Sequence, residues 1–395
     1  MECTRNRAPK TSEIPLIRTI TFPRPSGEEI HVTAVFDAGK PLSSAWEGVA
    51  AAIRRKGATI ISQDVFGLED GNGAGLEMLR EAFGQVNWPV TWLEDGTPNT
   101  LAGTQIWAVS GVPVRPVFAD GTVVGSVFED DSARYCRLGG VYPREARAAR
   151  KDQAHDVFLR LEETLQNQEM AFSDVVRTWF FNEDILSWYS DFNQVRTAFF
   201  SRRAVFNRLV PASTGIGGRN PLGTALVGGL LAVQEKTRGH LRAFAVPSPL
   251  QCPALEYGSS FSRAVEIATP GAKRLLISGT ASINAEGHTV HIGDLDGQID
   301  MTMRVVGAIL SSRGMTWRNA ARAVVYLPDL GDAPAFHRYC AAQNIESLPA
   351  VFSQSTVCRG NLLFEIEVDA LHPLPLVEAE DDKAPLASDT KDTEG

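Results

Sequence analysis

The sequence predicts an α+β fold in which one unit of a helix followed by a strand occurs at least twice. Five identical residues recur at a constant offset of 145 positions without a gap, which is typical of one folding unit used twice. The identical pairs are Gln153/Gln298, Leu165/Leu310, Met170/Met315, Arg177/Arg322 and Asp184/Asp329. In each copy an apolar stripe with helical spacing precedes a run of β-branched and aromatic residues.

The later copy reads clearly as a helix and then a strand. Between residues 298 and 314 the apolar positions step by four, three and four, which places them on one face of a helix. Gly314 supplies the left-handed residue that ends such a helix. Residues 323–326 then predict a strand, as residues 175–181 do in the earlier copy. Asp184 and Asp329 mark the turns after these strands.

Composition and charge exclude several classes of protein. The 395 residues are 44% hydrophobic and 22% charged, and no apolar run approaches the twenty residues that a membrane helix needs. The amino terminus has no apolar segment of the secretory kind, so a cytoplasmic location is predicted. A net charge of −9 argues against a nucleic acid or a membrane surface as partner, because both demand a positive footprint.

The cysteines and histidines predict neither a disulfide framework nor a metal site. Five scattered cysteines include no CxxC pair, so any functional cysteine would be a free thiol. His288 and His291, with Asp294 and Asp296, are better explained by a hairpin followed by a helix cap than by metal ligands. We therefore predict no metal and no cofactor.

One segment differs sharply from the acidic remainder. Residues 193–234 contain no Asp or Glu but carry five arginines around the glycine-rich run 211–218. Exposed backbone NH groups in such a loop can form an anion nest, and guanidinium groups pair carboxylates bidentately. A small-anion site and a solvated basic surface, with glycines serving only turns, are both compatible with this pattern.

The unit pattern divides the chain into four parts. Residues 136–245 and 246–372 hold the two clear units. Residues 1–135 contain the same order of helix, glycine and strand, and we interpret them as an N-terminal region that includes a third, degenerate unit. Residues 373–395 are rich in Pro, Asp, Glu and Lys, which predicts a disordered tail.

Several motifs of the last unit resemble a known superfamily. They are a Phe-Ser-Arg-Ala-Val segment at 261–265, a Ser-Gly strand at 278–279, Gly293-Asp294 ahead of Gln298, and the strand 364–367. Their order is similar to that of RidA/YjgF-like proteins. Such a resemblance implies tandem units in a pseudo-trimeric, barrel-like arrangement. A monomer is expected, because one chain with two or three units fills the architecture, and a homotrimer is the alternative.

Longer segments resemble the chorismatases, which are enzymes built on that fold. These segments are 175–200, 211–220, 257–264 and 278–283, and the resemblance spans roughly residues 130–372. It implies cleavage of the dianion chorismate, with release of pyruvate, by a cofactor-independent enzyme. Enol ethers are cleaved by protonation of the terminal methylene carbon, so a carboxylic acid that stays protonated near neutral pH is required.

Glu365 is the candidate acid. Alternation along the strand places Phe364 and Ile366 on the helix-covered face and Glu365 with Glu367 on the opposite face. Two neighbouring carboxylates in a closed fold raise at least one pKa by like-charge repulsion and desolvation. The alternative interpretation is an ordinary solvated strand face.

Cys358, at the entry to the same strand, is the second catalytic candidate. Its place in the motif resembles a product-determining position of the chorismatases, and a cysteine there implies the branch that forms 3-hydroxybenzoate. The alternative branch is a hydrolase that forms trans-3,4-dihydroxycyclohexa-1,5-diene carboxylate. Buried cysteines are otherwise most often inert.

The substrate's two carboxylates require fixed cations or NH donors, or desolvation outweighs binding. Seven residues in or beside the motifs are the predicted substrate-binding set, and a structural salt bridge is the alternative role for each arginine. The set is Arg137, Arg177, Arg219, Tyr257, Phe261, Arg263 and Gly279.

Two other functions remain open. RidA-like proteins carry an arginine after a Pro-Ala step, whereas Val351 follows Pro349-Ala350 here, so an imine or enamine hydrolase lacks its key cation. The third possibility is a small-anion sensor that keeps the pocket without the chemistry.

Overall fold

The computed structural model describes residues 16–24, 26–36, 42–67, 73–94, 103–345 and 348–374. These residues form a mixed α+β architecture of three open sheets flanked by six α-helices. None of the three sheets closes on itself as a barrel within this part of the chain. The predicted disordered tail lies, from residue 375 onward, outside the described residues. The described helices include none that is long and apolar enough to cross a membrane.

The first sheet has five strands in the order β1-β2-β5-β3-β4. Its strands are β1 Leu16–Arg24, β2 Gly27–Val35, β3 Thr59–Phe66, β4 Val90–Leu93 and β5 Gly103–Val109. Helix α1, Leu42–Arg55, joins β2 to β3, and α2, Ala74–Phe83, joins β3 to β4. Strands β3 and β4 are parallel, and the last strand β5 inserts antiparallel between β2 and β3.

The second sheet has six strands in the order β10-β9-β11-β8-β7-β6. Its elements are β6 Val114–Ala119, β7 Thr122–Glu129, β8 Ala133–Val141, α3 Arg150–Gln166, β9 Val175–Asn182, α4 Ile185–Arg202, β10 Ala212–Gly217 and β11 Leu226–Glu235. Strand β7 pairs with β8 and strand β6 pairs with β7, so both strands belong to this sheet.

The third sheet has six strands in the order β12-β13-β14-β17-β15-β16. Its elements are β12 Arg242–Val246, β13 Ala264–Thr269, β14 Ala272–Ala281, α5 Leu295–Ser312, β15 Ala320–Leu327, α6 Ala333–Ala342, β16 Ala350–Gln354 and β17 Glu365–Pro373. In all three sheets the last strand inserts antiparallel beside the strand that follows the first helix.

The 145-residue repeat corresponds to real structural equivalence. Gln153 and Gln298 are buried in α3 and α5, and each side-chain Oε1 accepts a bond from the backbone ahead of the last strand of its sheet. The donor is Ala225 N, at 2.8 Å, in one unit and Leu363 N, at 2.8 Å, in the other. The same glutamine therefore fixes the entry of β11 and of β17.

Apolar residues segregate into helix-facing cores and one shared core. The predicted stripe of α5 is buried against the third sheet, and Gly314 has the expected positive φ of 71°. A further cluster collects residues from all three sheets, including Trp107, Trp179 and Tyr326. Because one face of each sheet packs on its helices and the other on this shared core, the central strands β5, β9 and β15 are wholly buried, whereas the edge strands β6 and β12 are partly exposed.

Candidate active site

A cavity of about 770 Å³ opens between the second and third sheets. Helix α4 and strand β10 line it from one side. The segment 257–263, the end of β14 and the start of β17 line it from the other side. The residues of the cavity wall therefore come from the second and third sheets and the segments that flank them.

Glu365 lies in the cavity wall and is only 4% exposed. Strand alternation acts as predicted, since Phe364, Ile366 and Val368 belong to the helix-facing core while Glu365 lines the cavity. Burial raises the pKa of the Glu365 carboxyl to about 8, and the charge of Glu367 adds to this effect. Below that pH the side chain is a neutral acid that faces the cavity.

Gly279 makes room for this carboxyl. The pairing of β14 with β17 shifts register between Ile277 and Thr280, and Gly279 lies at that irregularity. A Cβ at residue 279 would collide with Glu365 Oε1 and lie 3.2 Å from Thr214 Cγ2. Any larger residue would therefore displace the carboxyl from its position.

Glu367 is the ionised partner of the pair. Its Oε2 accepts from Arg177 Nη2 at 2.9 Å and from the Thr214 hydroxyl, while its Oε1 lies 2.7 Å from Arg322 Nη1. Burial alone would raise the pKa of Glu367, but Arg322 and Arg177, with the Thr214 bond, hold it below its ordinary value. The two carboxyls thus have opposite protonation at neutral pH, and Glu365 is the acid.

Cys358 and Tyr189 lie in the wall of the same cavity. Cys358 is half-buried, and burial raises the pKa of its thiol to about 12, with a further contribution from Glu365. Burial also raises the pKa of Tyr189. Both groups therefore remain protonated at neutral pH, and Cys358 is not a thiolate nucleophile.

Two buried arginines line the cavity without forming an ion pair with any described residue. Arg196 on α4 is wholly buried, and its Nη2 donates to Asn193 Oδ1 at 2.5 Å. Arg263 is 4% exposed, and its Nε donates to Cys252 O at 3.0 Å. Nε of Arg196 and Nη2 of Arg263 are buried donors without a partner in the described structure. Unpaired buried cations are costly, so this pair is suited to anionic ligands.

The cavity unites six of the nine predicted site residues. They are Glu365, Cys358, Tyr257, Phe261, Arg263 and Gly279. Arg137 and Arg177 lie instead in an interior charge network beneath the cavity, where Arg137 Nη2 is 3.5 Å from Asp64 Oδ1 and Arg177 binds Glu367. Arg219 is 53% exposed in a different pocket, with its Nη2 3.9 Å from Glu94 Oε2.

Three further cavity residues were not singled out as site residues. Arg196 belongs to segment 193–234, and the absence of Asp and Glu from that segment is the sequence feature that could have indicated it. Tyr189 and Arg359 gave no comparable signal, because only the folded chain brings α4 and the segment before β17 to one wall.

The histidine and aspartate motif before α5 is a turn and a cap, as expected. Ile283 pairs with Thr289 in a short hairpin, and the Asp294 side chain accepts from Gly297 N at the start of the helix. Within the described ranges no group of three or more His, Cys, Asp or Glu side chains is placed to hold a metal ion.

Known proteins resemble this chain in sequence and in fold. A curated 3-hydroxybenzoate synthase of Streptomyces hygroscopicus is 30% identical over 229 residues, which are 51% of this chain and 64% of that protein. A curated chorismatase of the same organism is 29% identical over 224 residues, which are 51% of this chain and 62% of that protein. The chain thus spans less than two thirds of the length of these relatives. No family model matches it.

A solved structure extends the similarity beyond the aligned half. A chorismatase crystal structure superposes with a TM-score of 0.59 at 20% identity, covering 79% of this chain and 93% of its own. The chain therefore has the fold of that protein, and it is related in sequence to curated chorismatases.

Proposed function

We propose that this relative of the chorismatases cleaves chorismate to pyruvate and 3-hydroxybenzoate. One observation carries the proposal: the protonated carboxyl of Glu365 lies in the wall of a cavity that also holds two buried guanidinium groups, neither of which pairs with a carboxylate among the described residues. The names of the sequence relatives and the shared fold support it.

The chemistry requires one proton transfer from the protein. Glu365 gives its proton to the terminal methylene carbon of the enolpyruvyl group, and the vinyl π electrons form the new C–H bond. The resulting oxocarbenium ion weakens the bond between ring and ether oxygen, which breaks with its electron pair going to oxygen and forms pyruvate. For 3-hydroxybenzoate to form, the C4 hydroxyl oxygen attacks the ring carbon that has lost pyruvate, and its proton returns to Glu365. The bond from this oxygen to C4 then opens, and the hydrogen on C3 leaves as a proton that the oxygen takes up, so the two products together contain the atoms of chorismate.

The negative charge of Glu367 keeps Glu365 protonated. Because Arg177 and Arg322 hold Glu367 ionised, a second negative charge on Glu365 would be opposed across the same strand face. Thr214 connects Glu367 to the glycine that lies against Glu365, since its hydroxyl donates to Glu367 and accepts from Gly279 N at 3.0 Å. Arg177 thus holds Glu367 ionised and does not bind the substrate.

The two carboxylates of chorismate are assigned to Arg196 and Arg263. Both cations are buried in the cavity wall and lack an anionic partner in the described structure. Tyr257 and Phe261 lie beside Arg263 and supply the apolar surface for the ring. Arg137 and Arg219, which the sequence also suggested, are assigned structural roles.

Cys358 is assigned to the choice of product. Its protonated thiol occupies the wall beside Glu365, where it limits the room for water. With water excluded, the oxygen that remains on the aromatic ring comes from the substrate. If water instead attacks the oxocarbenium carbon, the hemiketal collapses to pyruvate, the ether oxygen stays on the ring, and the released proton returns to Glu365. The product is then trans-3,4-dihydroxycyclohexa-1,5-diene carboxylate.

The arrangement of units is part of the proposal. The three sheets share the insertion of the last strand and contribute to one core, which supports a pseudo-trimeric arrangement within a single chain. The N-terminal region then serves as the third unit, units 136–245 and 246–372 carry the cavity, and the protein acts as a monomer in the cytoplasm.

A direct assay tests the function. The purified protein is incubated with chorismate, pyruvate is measured by its reduction with lactate dehydrogenase, and the aromatic acid is identified by chromatography. Release of both products at equal rates supports the proposal. Thermal stabilisation by chorismate without turnover favours an anion sensor, and turnover of imines in place of chorismate favours the RidA-like alternative.

A further inference from the structure

An alternating series of cations and aromatic rings lines the cavity. Its members are, in spatial order, Arg196, Phe261, Arg263, Tyr257 and Arg359. Each consecutive pair lies between 5.3 and 5.7 Å from guanidinium carbon to ring centroid. All five residues belong to the cavity wall, and we call them the cation–aromatic ladder.

Phe261 separates the two innermost cations of the ladder. The guanidinium carbons of Arg196 and Arg263 are each 5.7 Å from its ring centroid. They therefore lie no farther apart than twice that distance. The negative π face attracts both cations, and this attraction offsets part of their mutual repulsion in a buried site.

The surrounding contacts hold this spacing rigidly. Thr197 on α4 and Ser260 share a hydroxyl hydrogen bond of 2.8 Å, which ties the helix of Arg196 to the segment of Phe261. Ser262, next to the ring, donates from its backbone NH to Pro211 O at 3.0 Å and from its hydroxyl to Val210 O at 2.7 Å. The guanidinium groups themselves are held by Asn193 Oδ1, which is 2.5 Å from Arg196 Nη2, and by Cys252 O, which is 3.0 Å from Arg263 Nε.

The outer end of the ladder is committed to the protein. Arg359 Nη1 donates to Gly287 O at 2.9 Å and to Thr289 Oγ1 at 3.3 Å, in the hairpin at the cavity rim. Arg196 and Arg263 instead retain donors without a partner in the described structure. Only the inner two cations are therefore available to bind a ligand tightly.

We propose that Phe261 is a specificity-determining residue that fixes the span between two carboxylate-binding guanidiniums and so selects dicarboxylates over monocarboxylates. The inference deepens the proposed function and rests on it for the identity of the natural dianion. A monocarboxylate leaves one of the two cations uncompensated, whereas a dicarboxylate of the right span neutralises both.

Phe244 offers a matched control. It too lies within cation–π distance of two arginines, 5.9 Å from Arg242 and 5.1 Å from Arg313, but it is on the edge strand β12 outside the cavity. Phe244→Leu removes the same ring and the same number of cation contacts as Phe261→Leu, and it leaves the cavity unchanged.

Titration calorimetry with two probes tests the proposal. The dianion is 3-(carboxymethoxy)benzoate and the monoanion is 3-methoxybenzoate, which share the ring and the ether but differ by one carboxylate. The ratio of their dissociation constants measures selectivity. We expect the native protein to prefer the dianion and Phe261→Leu to reduce the ratio by about tenfold, the scale of a lost desolvated cation–π contact. Phe244→Leu should leave the ratio unchanged.

The outcomes separate this inference from the proposed function. An unchanged ratio in Phe261→Leu, or an equal loss of affinity for both probes, contradicts the role of Phe261 in selectivity even if chorismate is cleaved. If the native protein selects the dianion through Phe261 but does not cleave chorismate, the role of Phe261 is supported and the proposed function is contradicted. Phe261→Tyr keeps the ring and should keep the ratio, and Phe261→Met serves the same comparison if the leucine variant does not fold.

Discussion

Arg177 and Arg322, which occupy equivalent positions in the 145-residue repeat, bind opposite oxygens of one carboxylate. Arg177 Nη2 is 2.9 Å from Glu367 Oε2, and Arg322 Nη1 is 2.7 Å from Glu367 Oε1. Two units of the chain thus each contribute one cation to a single strand of the third sheet. The consequence for chemistry is that Glu367 holds the charge and Glu365 holds the proton.

Replacement of Glu365 by Gln removes the transferable proton and preserves the shape of the side chain. Because positioned general acids contribute about 10²- to 10⁴-fold, kcat for chorismate should fall by that amount with KM little changed. Steady-state kinetics with the pyruvate assay measures the change. A variant within a few-fold of the native rate removes Glu365 from the role of acid.

The activity should depend on pH through the same carboxyl. Its pKa is raised to about 8, so the acid form predominates below that pH and kcat/KM should decline as pH rises through about 8. A rate profile from pH 4 to 10 gives the position of the basic limb. A limb near the ordinary carboxyl value of 4.5 contradicts the assignment.

The raised pKa of Glu365 should also make the stability of the folded state depend on pH. The folded chain keeps the Glu365 proton up to about pH 8, whereas the unfolded chain releases it near 4.5, so the folded state loses stability as pH rises between those values. Each pKa unit corresponds to about 1.4 kcal/mol. Glu365→Gln should therefore gain stability relative to the native protein across this window, and denaturant unfolding at pH 5 and pH 8 measures the difference.

Glu367→Gln should shift the basic limb of the rate profile to lower pH. The neighbouring charge that raises the pKa of Glu365 is lost, while Arg177 and Arg322 remain. The variant also removes the carboxylate partner of the buried Arg177, which costs about 3–5 kcal/mol of stability, whereas Arg322 keeps Asp64 and Asp369.

Asp369→Asn is the control for this variant. Asp369 lies 3.5 Å from Arg322 in the same network but does not contribute to the pKa shift of Glu365. An equal displacement of the limb in both variants would show a general effect of the network and not a specific effect of Glu367.

Cys358→Ala tests the choice of product. The smaller side chain admits water beside Glu365, so the share of the dihydroxycyclohexadiene acid should increase severalfold relative to 3-hydroxybenzoate. Chromatographic product ratios at a fixed turnover provide the measurement. An unchanged ratio would reduce Cys358 to a packing role.

Arg263→Met should raise KM for chorismate by about 10²-fold, since a charge-assisted contact to one carboxylate is lost. Arg219→Met is the comparison, because Arg219 lies in a separate, exposed pocket and its loss should leave KM unchanged. Equal KM values for the two variants would remove Arg263 from carboxylate binding.

Local patterns predicted the elements of the site well. Alternation in the strand that begins at Glu365 separated the acid from Phe364 and Ile366, and the structure confirms this separation. The helical stripe and Gly314 located α5, and the offset of 145 residues located the equivalent glutamines 153 and 298. These features arise from periodicity within one unit, so they can be predicted from the sequence alone.

The partners of the arginines could not be predicted in the same way. Arg137 and Arg177 carry the same charge and similar strand surroundings as Arg263, and all three are buried. Whether such a cation meets Glu367, Asp64 or the cavity depends on how the second sheet packs on the third and the first. Tyr189 and Arg196 reach the cavity for the same reason, because α4 lies against the segment that contains Ser260.

The sequence by itself determined the repeated α+β unit, the strand face that Glu365 and Glu367 share, and the acid-free, arginine-containing segment 193–234. Periodicity and side-chain chemistry act over a few residues, so they are readable without coordinates. The tertiary structure alone decided which cations are paired with carboxylates and which remain for a ligand. That outcome follows from contacts between residues that are 190 positions apart, as Arg177 and Glu367 are, or 258 positions apart, as Arg322 and Asp64 are, and no local pattern records such contacts.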